Sequence, residues 1–417
     1  MAAIQKRIWS ALGPGLVTGA ADDDPSGIAT YSQAGAQFGY TLAWTMFLTL
    51  PFMAAIQIIS ACIGWGTREG LATNIGKRLP RSVLYCVVTL LVAANTINIA
   101  ADLAAMGEVL NLAIGGYAFV YALAFGAFCV VAEIFIPYHR YAGYLKLATF
   151  ILFVYVATAF TVHMPWGEVL AATFLPHLSL DRDMLLTLVA VFGTTISPYL
   201  FFWQANQEVE ESRLSHRYRH RAQTSSEDYF THISVDTWTG MIASNVVAFF
   251  IIITTAATLH ANGITNIQTA SQATEALRPL AGDLTFFLFA GGIIGTGMLA
   301  VPVLAGSAAY AVAETFGFHG SLELPVSRAL GFYALISAAT FVGAALAVTR
   351  IDPIAMLFWS AVINGVVAVP IMVAMMLVVA NGRHLGPLAI PAWLRGLGWA
   401  AAALMALTVA ALVWSSL

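Results

Sequence analysis

Three consecutive carboxylates, Asp22, Asp23 and Asp24, run into Pro25, Ser26 and Gly27 in the middle of an apolar stretch reading ALGPGLVTGAADDDPSGIATYSQAGAQFGY. A second apolar stretch, DMLLTLVAVFGTTISPYLFFWQANQEVEE, carries Gly193, Thr194, Thr195, Ile196, Ser197, Pro198 and Tyr199 at the corresponding place. Carboxylates, hydroxyls and unwound backbone carbonyls are oxygen donors, which suit hard cations. Proline removes a backbone donor and breaks a helix, and a charge inside an apolar segment is costly unless it lines a polar cavity. Both stretches therefore read as interrupted helices facing a cation site. The nine histidines sit in loops or at the ends of apolar runs, and Cys62, Cys86 and Cys129 read as small core residues, so no imidazole or thiolate ligand set is expected.

The elements that must carry these groups follow from composition. Of 417 residues, 59% are hydrophobic and only 9% are charged, whereas a soluble domain carries about 25% charged residues. The chain is predicted to be an integral membrane protein. A secreted protein, a nucleic-acid binder and an ordinary soluble enzyme are excluded, and a net charge of -3 argues against a polybasic partner surface. A helix needs about 20 apolar residues to cross a bilayer. Apolar runs near 12–38, 42–65, 83–113, 117–137, 146–164, 184–210, 232–258, 284–313, 329–349, 354–379 and 396–416 predict eleven transmembrane helices. The first run lacks a small-residue cleavage site and reads as a true span. Spans one and six each open a set of five, and an odd repeat inverts the second set. The expected fold is thus all-α, a single transport domain over 1–417, with repeats 12–164 and 184–379 and a peripheral helix at 396–416.

Lys and Arg set the orientation. With a cytoplasmic N-terminus, the inside loops hold Lys6, Arg7, Arg68, Lys77, Arg78, Arg81, Arg140, Lys146, Arg213, Arg217, Arg219, Arg221, Arg328, Arg383 and Arg395, which is 15 of 18. Arg182, Arg278 and Arg350 fall outside. This asymmetry predicts a multi-pass protein of the cell's inner (plasma) membrane with an outside C-terminus. The longest inside loop, around Ser212 to Phe230, reads as a solvated connector.

These residues resemble the Nramp family of divalent metal transporters. Gly13-Pro14-Gly15, Asp24-Pro25-Ser26-Gly27 and the run from Gln33 to Tyr40 are similar to that family's first span, with its Asp-Pro-Gly-Asn signature. Asp102-Leu103-Ala104 is similar to its Asp-Leu-Ala-Glu, and Ser197-Pro198-Tyr199 stands where the family has Met-Pro-His. By position, the resemblance assigns the metal site to Asp24, to Gly27 in place of Asn, to Ser197 in place of Met, and to the carbonyls of Ala21 and Thr194. Without the thioether and the amide, the site becomes wider and all-oxygen, which suits Mg2+ with its firmly held water shell. Tyr199 replaces the family's His and Ala105 its Glu, so the family's proton route is interrupted. The pattern looks like the Nramp-related magnesium transporters. That branch implies uncoupled Mg2+ uptake by alternating access, with Mn2+ also able to pass; the alternative is a proton-coupled Mn2+ or Fe2+ importer. The ion is cargo, and no cofactor, nucleic acid or obligate protein partner is expected beyond the lipid bilayer.

Other polar positions stay open. Gln33 and Asn364 could bind the ion's waters. Gln204, Glu208 and Glu211 share one helical face, either lining an acidic inner vestibule or ending an interfacial helix with solvated acids. Asp102, Glu108, Glu133 and Asp236 are further buried-acid candidates, Asp236 reading as a cap near its span start. One of Asp22 and Asp23 could cap the half-helix that follows. An amino acid symporter is disfavoured by a central Asp, and an intramembrane aspartyl hydrolase by the lack of a Gly-x-Gly-Asp motif.

Overall fold

The computed structural model describes residues 13–136, 150–218, 226–274, 276, 285–348, 351–380 and 390–415. The first span is two helices, α1 (Pro14–Asp22) and α2 (Pro25–Phe38), because Pro25 cannot donate to the carbonyl of Ala21. After a 3-10 turn at Gly39–Leu42 come α3 (Trp44–Thr67), the short α4 (Leu71–Arg78), α5 (Arg81–Ile114), α6 (Ala118–Phe135), α7 (Phe153–Thr161) and α8 (Trp166–Phe174). The sixth span divides in the same way. It forms α9 (Arg182–Thr195) and α10 (Pro198–Tyr218), with Pro198 starting the second half. Then follow α11 (Ser226–Thr258), α12 (Ala270–Thr274), α13 (Thr285–Phe316), α14 (Leu330–Ala347), α15 (Pro353–Ala380) and α16 (Ala392–Ser415).

Among the described residues, nine helical segments are long and apolar enough to cross a membrane, counting α9 and α10 as one. The first span is not among them, since its halves are only nine and 14 residues long. The start of the fifth expected span, 146–149, lies outside the described residues. So do Lys6, Arg7, Arg140, Lys146, Arg219, Arg221, Arg278, Arg350 and Arg383. The connector expected between Ser212 and Phe230 is shorter than the sequence suggested, because α10 runs on to Tyr218 and α11 begins at Ser226. Cys62 and Cys129 are buried, but Cys86 is exposed on α5, so it is a surface residue and not a core one.

The packing carries the repeat. The first span, as α1 and α2, packs on α11, the second helix of the later set; the sixth, as α10, packs on α3, the second helix of the earlier set. The third helices of the two sets, α5 and α13, pack on each other. The broken sixth span is central, with 94% of its most apolar window buried, whereas α16 lies at the edge with 22%. Close backbone approach at the centre depends on glycine. A Cβ at Gly19 would fall 2.4 Å from the Gly240 carbonyl carbon, and one at Gly193 would fall 2.1 Å from the Ala361 oxygen.

Candidate functional site

Asp24 stands between α1 and α2, extended at φ -68°, and caps the second half-helix. Its Oδ1 accepts from the Gly27 amide at 2.7 Å and from the Ser26 hydroxyl at 2.8 Å. Its Oδ2 accepts from Asn98 Nδ2 at 2.8 Å, a donor on α5. Asp22, Asp23 and Asp24 are 1%, 5% and 2% exposed, so the carboxylates are closed off from both sides of the protein. The Ser244 hydroxyl on α11 lies 2.8 Å from Asp22 Oδ2 and 3.0 Å from Asp23 Oδ1.

The two breaks are tied together. Tyr199, at the start of α10, donates its hydroxyl to the Ala21 carbonyl at 2.8 Å. Ser197 donates to the carbonyls of Thr194 and Gly193 at 2.8 and 3.0 Å. The side chains hydrogen-bonded to Asp24 and to these carbonyls are thus Ser26, Asn98, Ser197 and Tyr199. None of them carries sulfur or an imidazole.

Several buried polar atoms around the breaks have no hydrogen-bond partner among the described residues: Asp22 Oδ1, Asn98 Oδ1, both oxygens of Asp102 and both amide atoms of Asn364. Each such atom costs about 1–3 kcal/mol unless water or an ion meets it. Asp102 lies one turn beyond Asn98 on α5 and is fully buried. Asn364 precedes Gly365, whose backbone lies against Gly193 at the end of α9. No three His, Cys, Asp or Glu among the described residues converge as a ligand cluster.

A family model described as natural resistance-associated macrophage protein-like matches residues 15–415. The chain belongs to the Nramp family. Among curated Nramp-family relatives it is similar to the divalent metal cation transporter MntH of Klebsiella pneumoniae, 28% identical over 407 residues that cover 94% of this chain and 91% of the relative. MntH of Yersinia pestis is 29% identical over 309 residues, 71% of this chain and 70% of the relative. A crystal structure of the Eremococcus coleocola manganese transporter, in complex with an aromatic bis-isothiourea substituted compound, superposes with a TM-score of 0.71 at 16% identity, covering 97% of this chain and 86% of that one. Mhp1, a nucleobase-cation-symport-1 family transporter in a closed conformation, gives 0.58 at 14% identity over 97% and 92% of the two chains. The Nramp chain therefore shares the fold of broken-helix membrane transporters, an inverted repeat of five plus five.

Within this Nramp-family protein, Asp24, Ala21, Gly27, Thr194, Ser197 and Tyr199 come together at the paired breaks. Gly27 contributes an amide to Asp24, and a Cβ there would lie 3.1 Å from Thr194 Oγ1. Gln33 is held elsewhere: its Oε1 accepts from the Ile267 amide at 2.9 Å and its Nε2 reaches the Thr265 carbonyl at 3.3 Å. The cap of α2 is Asp24, not Asp22 or Asp23. Asp236 does cap a helix, but not its own. Its carboxylate accepts from the Gly13 and Gly15 amides, at 3.0 and 2.6 Å, at the start of α1.

Of the two readings for Gln204, Glu208 and Glu211, an acidic vestibule or solvated acids, Glu208 does not fit the second. Glu208 is buried and takes hydrogen bonds from Gln204 Nε2 at 3.1 Å and the Tyr229 hydroxyl at 3.0 Å; Glu210 is bonded by Tyr310 and by the Leu322 amide. Gln204 also accepts from Thr18, which ties α10 to α1. Glu133 is buried in α6 with both oxygens unbonded among the described residues. Sequence reasoning missed Asn98 and Ser244, uncharged polar residues inside apolar helices; their only signal is that such residues seldom stand in a span without a buried partner.

Proposed function

We propose that this protein carries Mg2+ across the cytoplasmic membrane by alternating access, without proton coupling, with Mn2+ also able to pass. The observation that carries the reading is charge balance at the breaks. Asp22, Asp23, Asp24 and Asp102 are buried, and no Lys, Arg or His among the described residues forms an ion pair with them. Buried carboxylates without a cation are strongly disfavoured, so a divalent ion is the fitting occupant. The curated relatives are named as divalent metal cation transporters.

Asp24 would be the one carboxylate facing the ion, with Asn98, Asn364 and the hydroxyls of Ser197 and Tyr199 holding its waters. Mg2+ gives up water reluctantly and is commonly held through one or two carboxylates and retained waters. A donor set of one carboxylate and neutral oxygens, with no sulfur, favours it over softer ions. Tyr199 in place of an imidazole and Ala105 in place of a carboxylate leave the family's proton route without two of its members. The basic loops support entry from the side of Gln33 and Asp352 toward the side of Arg68, Lys77 and Arg78.

The second reading is a proton-coupled importer of Mn2+ or Fe2+, favoured by the likeness to a manganese transporter. One preparation separates the two. In proteoliposomes, Mg2+ is expected to compete with Mn2+ uptake at every pH, with no metal-driven acidification of the lumen. Uptake of Mn2+ untouched by excess Mg2+ and accompanied by acidification would establish the second reading instead. Asp24→Ala is expected to abolish uptake of either ion.

A further inference from the structure

Prolines vacate the two carbonyls that the breaks expose. In a continuous helix the Ala21 oxygen would accept from the amide of residue 25 and the Thr194 oxygen from that of residue 198, but both residues are proline. Each orphaned carbonyl is met instead by a side-chain hydroxyl from the sixth span. Tyr199 caps Ala21 at 2.8 Å, and Ser197 caps Thr194 at 2.8 Å while sharing its one proton with the Gly193 carbonyl at 3.0 Å. Both hydroxyl-bearing residues are buried, at 0% and 2% exposure, so no bulk water competes for them.

We propose that the Tyr199 and Ser197 hydroxyls set how much of its water shell the transported ion keeps. The inference rests on the paired breaks being the ion site and deepens that reading. A carbonyl has two lone pairs; with one taken by a hydroxyl, it is a poorer direct ligand for a cation. The capping hydroxyl oxygen keeps its own lone pairs, which can accept from a metal-bound water. The caps therefore turn two inner-sphere ligands into holders of a hydrated ion. Such a site suits an ion that resists dehydration and handicaps one that gains by shedding water onto carbonyl oxygen.

The test removes the hydroxyls and reads the ratio of KM values in proteoliposomes. Tyr199→Phe and Ser197→Ala are each expected to lower KM for Mn2+ relative to KM for Mg2+ by about tenfold, with Ser197→Thr, which keeps a hydroxyl, restoring the parent ratio. A purely structural role for the caps would move both KM values together, so a ratio within twofold of the parent in both variants overturns the proposal. If Tyr199→Phe does not fold, Ser197→Ala carries the test alone. A second readout does not depend on Mg2+ being a substrate. Mn2+ bound to the purified full chain in 17O-enriched water is examined by electron spin echo spectroscopy, where the variants are expected to show at least one bound water fewer than the parent. An equal count overturns the proposal. A parent that binds Mn2+ but never carries Mg2+ would sink only the Mg2+ reading, leaving the water count to decide the role of the caps.

Discussion

One amide on α5 decides how the central carboxylate is presented. Asn98 donates to Asp24 Oδ2 at 2.8 Å while its own Oδ1 has no partner among the described residues, so under the proposed function it orients the carboxylate and holds a water of the ion. A hydrogen bond to a charged group contributes about 1.5–3 kcal/mol, so Asn98→Ala is expected to raise KM for Mg2+ uptake about tenfold or more. A KM within twofold of the parent would show that Asp24 needs no such support. Asp24 itself was legible in the sequence, because a carboxylate beside proline and glycine in an apolar run has few structural explanations. Asn98 was not, since a neutral amide acquires its role only from the crossing of α5 over the break. Gln33 illustrates the opposite error: its position on α2 suggested the site, yet the loop around Thr265 and Ile267 claims its side chain.

At the scale of elements, α1 is clasped along its length by one face of α11. Asp236, Gly240 and Ser244 are spaced i, i+4, i+8 and share that face. They meet in turn the amides at the start of α1, its glycines, and the carboxylates at its end. An anionic cap at a helix N-terminus is stabilising, and its loss costs about 0.5–2 kcal/mol. Asp236→Ala is therefore expected to lower the thermal midpoint of the purified protein by a few degrees, with Asp236→Asn in between. An unchanged midpoint for Asp236→Ala would remove the clasp from the account. Substitution at Gly240 should be harsher, since a Cβ there would lie 2.3 Å from the Gly15 oxygen. Gly240→Val is expected to cost about 1–3 kcal/mol or more, measured in the same melt. The breaks were readable from proline positions alone, but the partner of each half-helix was not, because nothing local in α1 encodes a contact with α11 more than two hundred residues away.

Across the whole molecule, charged side chains line cavities away from the paired breaks. At one end, Asp183 and Asp352 line a cavity of about 480 Å3, and Glu108 and Asp352 line one of about 590 Å3. At the other, Arg68 lines a cavity of about 420 Å3 together with Glu69, Glu210 and Glu314, and Lys77 pairs with Glu69 at 2.5 Å. An acidic mouth raises the local concentration of a divalent cation, an effect that salt screens. Asp352→Asn preserves the side-chain oxygen that accepts from the amides of Ile354 and Ala355, at 2.9 and 3.1 Å, at the start of α15. It is expected to lower the uptake rate at limiting Mg2+ by two- to fivefold in low salt. The deficit should vanish at about 1 M monovalent salt, where the screening length is about 3 Å; a deficit that persists would point to a structural defect. The amino-acid sequence by itself determined the membrane setting, the helical class and the two breaks, because hydropathy, charge and proline act over a single helical segment. Only the tertiary structure decided which groups complete the site. Asn98 reaches Asp24 across 74 residues and Tyr199 reaches Ala21 across 178, and such contacts exist only where helix packing brings distant faces within hydrogen-bond range.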